Sequence, residues 1–121
     1  MSKILIVDDD QFTIDFLKGI LEPLQYDFVE ASSGIQVNKL IEDENLSLAI
    51  IDIIMPDKEG LETIEDLHSV RPDLPIIAMS SEDNLLFLNM ATEMGARGSL
   101  TKPFVIEHVK REVSQLLDIA F

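Results

Sequence analysis

Short apolar runs alternate along this chain with longer segments in which apolar residues recur at helical spacing. The runs cover residues 3–7, 27–31, 48–53, 76–79 and 99–101. The third and fourth are apolar almost throughout, as strands covered on both faces should be. Five amphipathic segments follow them. In the first, Phe12, Phe16, Ile20 and Leu24 recur every four residues, Leu17 and Leu21 fill the same stripe, and Pro23 is expected to bend or end the helix. The second is expected from 34 to about 42, with Ser33 as its N-cap. The third carries Leu61, Ile64 and Leu67 and must stop before Pro72. The fourth follows Ser81, whose hydroxyl is placed to cap a first turn holding Glu82 and Asp83. The last shows Ile106, Val109, Val113, Leu116 and Leu117 along one side.

Five strand–helix units in succession predict an α/β fold, a parallel sheet with helices on both faces joined by right-handed crossovers. No repeat, low-complexity tract or Pro/Gly-rich linker divides the sequence, so residues 1–121 read as one domain. In such sheets ligands bind outside the carboxyl ends of the strands, and the residues capable of chemistry lie there. The first strand runs out into Asp8, Asp9 and Asp10, the third into Asp52, the fourth into Ser80 and Ser81, and the fifth leads into Lys102-Pro103.

Gathering these groups is unfavourable by itself, since two carboxylates ~4 Å apart repel by ~4 kcal/mol at an effective dielectric near ~20. Lys102 supplies one positive charge. A divalent cation would supply the rest, and hard oxygen donors without His or Cys favour Mg²⁺ over zinc. The Ser80 hydroxyl and the Lys102 ammonium are suited to gripping a phosphoryl group. Taken singly, each residue has a plainer reading, because an Asp closing a strand usually caps a turn or helix. Their combination at one sheet edge points to a carboxylate nucleophile, a Mg²⁺ ion and a phosphoryl cradle.

Composition narrows the picture. Hydrophobic residues make up 46% of the chain with one Tyr and no Trp, so the core is expected to be aliphatic. Cysteine is absent, which removes disulfide and thiolate–metal chemistry. The net charge of -14 repels nucleic-acid phosphates and anionic membrane surfaces. No apolar run approaches the ~18 residues of a membrane span, and the N-terminal run is too short for a signal peptide. The expected location is cytoplasmic.

With those residues in view, the whole chain resembles the receiver domains of two-component response regulators. The resemblance rests on Ile4-Leu-Ile-Val-Asp-Asp-Asp10, Asp52-Ile-Ile-Met-Pro-Asp-Lys-Glu-Gly60, Pro75-Ile-Ile-Ala-Met-Ser-Ser81, and Gly95-Ala96 followed by Thr101-Lys-Pro-Phe104. It implies a flavodoxin-like (βα)5 doubly wound sheet with strand order 2-1-3-4-5. It also implies a switch in a two-component phosphorelay rather than an enzyme, one that promotes its own phosphorylation and dephosphorylation. Asp52 would be the phosphoacceptor. Asp9 would bind Mg²⁺ directly and Asp8 mainly through water, with the backbone carbonyl of Ile54 as a further ligand. Ser80 and Lys102 would contact the phosphoryl group, and the Lys102-Pro103 bond would be cis. The donor would be a phosphohistidine on a sensor histidine kinase or histidine phosphotransfer protein, or a small acyl phosphate. The output, to a protein target or a second copy, would leave from the face formed by the fourth helix, fifth strand and fifth helix.

The sequence departs from this family in three places. Members commonly carry Tyr or Phe three residues before the lysine, where Ser99 stands here. Ile54 and Glu82 flank the phosphoacceptor and hydroxyl positions, and an apolar Ile54 could shield the phosphoryl group from water. Residues 85–88 are apolar in a row, more than one stripe buries. With Phe87, Met90, Ala91 and Met94 facing the core, Leu85 and Leu88 would be left, with Ser99, as a partner face. Asp57, Glu59, His68 and His108 read as solvated surface groups.

Other functions fit less well. A haloacid-dehalogenase-like phosphatase needs Asp-x-Asp-x-Thr or Val after the first strand, and Phe12 occupies the final position. An EF-hand loop counted from Asp8 needs Gly where Thr13 stands and Glu where Gly19 stands. A receiver that had lost its chemistry would not keep the acidic residues, Ser80 and Lys102 together.

Overall fold

The computed structural model describes residues 3–40, 45–55, 60–81 and 85–118. Its elements in chain order are β1 (Lys3–Val7), α1 (Gln11–Leu21), β2 (Asp27–Ala31), α2 (Gly34–Leu40), β3 (Leu46–Asp52), α3 (Gly60–Val70), β4 (Ile76–Ser81), α4 (Leu85–Glu93), β5 (Gly98–Lys102) and α5 (Ile106–Asp118). All strand pairs are parallel, in the order β2-β1-β3-β4-β5. The fold is therefore flavodoxin-like, with the strand order that the resemblance implied. The chain starts inside the sheet, moves to one edge, then crosses back over β1. That reversal opens a crevice between the carboxyl ends of β1 and β3.

Period-two alternation along the strands divides the aliphatic core in two. Ile4, Ile6, Leu48, Ile50, Ile77, Met79 and Leu100 face α1 and α5, where they meet Ile14, Leu17, Leu21, Val109 and Val113. Leu5, Val7, Ala49, Ile51, Ile76 and Ala78 face the opposite side, against Val37 of α2, Ile64 and Leu67 of α3, and Leu88 and Ala91 of α4. Each fully buried Leu or Ile contributes roughly 1.5–3 kcal/mol.

Two helices are rotated from the expected phase. On α1 the buried residues are Thr13, Ile14, Leu17, Ile20 and Leu21, whereas Phe12 is 75% exposed and Phe16 and Leu24 are also exposed. The reason is geometric: at ~100° per residue a step of four overshoots a turn by ~40°. A line of residues four apart therefore winds off the core, and the buried stripe alternates steps of three and four. Pro23 acts as expected, since the α-helix ends at Leu21 and a 3-10 turn over Glu22–Leu24 follows.

On α4, Leu88 is buried in the core with Ala91, while Leu85, Leu86 and Phe87 are exposed. The expectation that Leu88 belongs to a partner face is thus corrected, and Phe87 takes its place. Both 87 and 88 adjoin Ala91 on the helix surface, and α4 is turned so that its i−3 neighbour meets the sheet. Ser33 acts at the start of α2, its Oγ accepting from the Gln36 N–H at 3.4 Å. The expected end of the second helix near 42, the first turn holding Glu82 and Asp83, and Asp57 and Glu59 lie outside the described residues. No helix among the described residues is long and apolar enough to cross a membrane.

Candidate functional site

Asp8 continues the alternation of Ile4 and Ile6, Asp52 that of Leu48 and Ile50, and Lys102 that of Leu100. All three side chains thus emerge on the α1/α5 side at the carboxyl edge of the sheet. Lys102 Nζ donates to Asp8 Oδ2 at 2.9 Å and to Asp52 Oδ2 at 3.2 Å. The remaining oxygens are held by backbone: Asp8 Oδ1 accepts from the Asp10 N–H at 2.9 Å, and Asp52 Oδ1 from the Ile54 N–H at 3.0 Å. Asp8 and Asp52 are buried and Asp9 is exposed beside them. Asp8, Asp9 and Asp52 each present a carboxylate oxygen within 4.8 Å of the others.

The acidic run after β1 divides its labour at Asp10. That residue is extended (φ -98°) and N-caps α1, its Oδ1 accepting from the Phe12 N–H at 3.0 Å. It belongs to the helix start rather than the cluster. On the other flank, the Gly60 N–H donates to the Ile53 carbonyl at 3.1 Å. A Cβ on Gly60 would collide with the Asp52 carbonyl oxygen and Ile53 Cα, so only glycine lets α3 start this close to the strand end.

Burial pushes the Asp8 carboxyl above its ordinary value; the Asp10 N–H and Lys102 hydrogen bonds pull against it, and the Asp52 charge adds to it. Burial also works against the Lys102 charge, but its bond to Asp8 and the charges of Asp52 and Asp8 outweigh that, and its pKa lies above the ordinary lysine value. Among the described residues, one ammonium is shared between two carboxylates with a third alongside.

Ser80 lies in register with Thr101 on β5, one strand across from Asp52, which pairs with Met79. Its Oγ is buried and makes no hydrogen bond among the described residues. Ile54 follows Asp52 in the loop, its side chain about half exposed. The Lys102-Pro103 peptide is cis. Ser99 sits partly exposed on edge strand β5, and Leu85 is exposed on α4. The structure therefore joins Asp8, Asp9, Asp52 and Lys102 directly. Ser80 stands at the same edge, its Oγ without a hydrogen bond to them.

Sequence reasoning missed an aromatic group beside the site. The Phe12 and Phe16 rings stack with centroids 6.4 Å apart, and Phe16 stacks on Phe104 at 6.1 Å. With Thr13, Lys102 and Pro103 they line a cavity of about 250 Å³. Lys102 belongs to both the cavity and the acidic cluster. The available signal was the pair of phenylalanines four apart directly after the acidic run, which the core stripe wrongly absorbed.

The doubly wound sheet thus gathers carboxylates and a bridging lysine at its switch point. Residues 4–114 match the family model of the response regulator receiver domain. The chain is 31% identical over 116 residues to the alkaline phosphatase synthesis transcriptional regulatory protein PhoP of Bacillus subtilis (strain 168), covering 96% of this chain and 48% of that protein. It is 34% identical over 104 residues to the transcriptional regulatory protein CpxR of Escherichia coli (strain K12), covering 86% and 44%. Among solved structures, the CheY-like receiver domain protein of Methanospirillum hungatei JF-1 matches with a TM-score of 0.90 at 32% identity, covering 98% of this chain and 95% of that one. The Francisella response regulator 1452 receiver domain matches over both full chains with a TM-score of 0.88 at 27% identity. The chain belongs to the response regulator receiver domain family, and the dehalogenase-like phosphatase reading has no support. It spans about half the length of the curated relatives it matches.

Proposed function

We propose that residues 1–121 form one receiver domain in which Asp52 accepts a phosphoryl group. The observation that carries this reading is Lys102 bridging Asp8 and Asp52, with Asp9 alongside. The donor set fits a hard divalent cation, because among the described residues three carboxylates meet one ammonium. Asp8, Asp9, Asp52 and the backbone carbonyl of Ile54 would hold Mg²⁺. When bound, the ion offsets negative charge on the carboxylates and phosphoryl oxygens.

The chain's own residues do the rest. The Ile54 N–H fixes the rotation of the Asp52 carboxylate, which attacks phosphorus. The phosphorus–nitrogen bond of a donor phosphohistidine breaks, its electron pair leaves with the imidazole, and an acyl phosphate forms on Asp52. Lys102 then passes from the carboxylates to a phosphoryl oxygen. Ser80 supplies the second contact. A buried hydroxyl without a partner costs about 1–3 kcal/mol, and a phosphoryl oxygen would relieve that cost. The same groups support self-catalysed phosphorylation from small acyl phosphates, and hydrolysis back to aspartate.

A histidine kinase or phosphotransfer protein reaching Asp52 must cover the rim of the site, and Phe12, Phe16 and Phe104 give it an apolar seat. The exposed Leu85, Leu86 and Phe87 on α4, with Ser99 on β5, support output to a protein target or second copy through the α4-β5-α5 face. The acidic, cysteine-free composition supports a cytoplasmic setting and no direct nucleic-acid contact. The test is incubation with Mg²⁺ and acetyl phosphate followed by intact mass. The wild type is expected to gain one base-labile phosphoryl group, and Asp52→Ala to gain none. Equal gain by both would refute the assignment.

A further inference from the structure

Among the described strands β5 lies at the edge of the sheet, paired with β4. The Ser99 N–H nevertheless has a partner, since it donates to Glu112 Oε1 of α5 at 3.2 Å. Small residues make the approach feasible. A Cβ on Gly98 would stand 3.3 Å from Glu112 Oε1 and 3.3 Å from Ile77 Cγ1, tighter than ordinary contact. The carboxylate also faces His108 Nε2, one turn back on α5, at 3.9 Å. On either side of Glu112 in sequence, Val109 and Val113 are fully buried and lock this stretch of α5 to the sheet. Lys102, three residues beyond Ser99 on the same strand, holds Asp8 and Asp52.

We infer that Glu112 is a positioning residue that ties α5 to the strand carrying Lys102, so that a change of partner at Lys102 reaches α5 through the Ser99 N–H. An extended strand has little slack along its axis. Apolar contacts between β5 and α5 slide at small cost, whereas a charge-assisted hydrogen bond has a fixed direction and length. Glu112 is thus the point at which a shift of β5 is converted into a shift of α5. This inference rests on the proposed phosphorylation of Asp52.

The experiment is hydrogen exchange by mass spectrometry on the full chain with Mg²⁺, with and without acetyl phosphate, and intact mass read on the same samples. In the wild type, phosphorylation is expected to alter exchange in both β5 and α5. Glu112→Ala is expected to take up the phosphoryl group at the wild-type rate yet lose the α5 response. Glu112→Gln keeps an acceptor oxygen and is expected to retain it. An unchanged α5 response in the alanine variant overturns the inference, as does loss of the response in both variants. So does failure of Glu112→Ala alone to accept phosphate, which would make the residue a support of the site itself. A wild type that gains no phosphoryl group overturns the functional reading instead, and the intact mass separates that case.

Discussion

Asp8 is fully buried beneath Lys102 and shares that ammonium with Asp52. Its raised pKa means that the folded state holds this proton more tightly than the unfolded chain. The favourable contribution is present below the ordinary aspartate value and is lost as pH rises through the folded value. Ionising Asp8 without a divalent ion therefore works against folding. Asp8→Asn is expected to raise the metal-free melting temperature on the order of a few degrees. If the proposed Mg²⁺ site forms, the same substitution is expected to reduce the stability gained on adding Mg²⁺ to the wild type. Thermal melts with and without Mg²⁺ check both, and a lower metal-free melting temperature in the variant would contradict the electrostatic account. Gly60→Ala is expected to cost more than ~3 kcal/mol in a urea titration, because its Cβ has no space beside the Asp52 backbone. At this scale the sequence was most informative where position in a strand fixes direction, as for Asp8, Asp52 and Lys102. It did not single out Asp10 among the three aspartates as the cap, which depends on one backbone angle, nor give the reason for Gly60, which lies in a contact with the end of another element.

The elements themselves were legible from the alternation of apolar runs and amphipathic segments, but helix rotation was not. Two stripes on α1 both contain Leu17 and Leu21, and only packing against Ile4, Leu48 and Leu100 selects the one through Ile14. That choice has a measurable consequence. Leu17→Ala is expected to cost about 2–5 kcal/mol, whereas Phe12→Ala should stay within ~0.5 kcal/mol of the wild type. A large loss for Phe12→Ala would place α1 in the other phase. The tie between α1 and β2 is electrostatic and weaker. Lys18 Nζ lies 2.7 Å from Glu30 Oε2, and the Lys18 and Gln11 hydrogen bonds hold the Glu30 carboxyl below its ordinary value. Its stabilising effect is present above the ordinary glutamate pKa of 4.5 and is lost as pH falls through the lower folded value. Glu30→Gln is expected to lose less than ~1 kcal/mol at neutral pH, since the pair is partly exposed. That difference should close in strongly acidic solution when urea titrations are compared across pH. On α4 the sequence supplied four adjacent apolar residues and no means of ranking them, and the sheet took Leu88 alone.

For the molecule as a whole, one covalent change must move a population. Passing from about 1:99 to 99:1 requires ~5.5 kcal/mol of differential stabilisation. In the proposed mechanism Lys102 and Ser80 would supply it, one by exchanging carboxylates for a phosphoryl oxygen and one by gaining a partner for its buried hydroxyl. The parallel architecture followed from apolar patterning, but the strand order came only with the family resemblance, because short runs of Ile, Leu and Val do not specify their neighbours. The site was legible for the same reason that it exists: strand ends in a parallel sheet meet at one edge, so residues 94 positions apart, Asp8 and Lys102, come into hydrogen-bond contact. The aromatic rim was hidden because exposed phenylalanines look like core in a sequence.

The most direct test is chemical identification of the acceptor. The protein is incubated with Mg²⁺ and acetyl phosphate, the acyl phosphate is reduced with borohydride, and the peptides are mapped by mass spectrometry. Conversion of Asp52 to homoserine, with Asp8 and Asp9 unaltered, is the expected result. Reduction at another aspartate, or a stable phosphate on Ser80 with Asp52 intact, would contradict it.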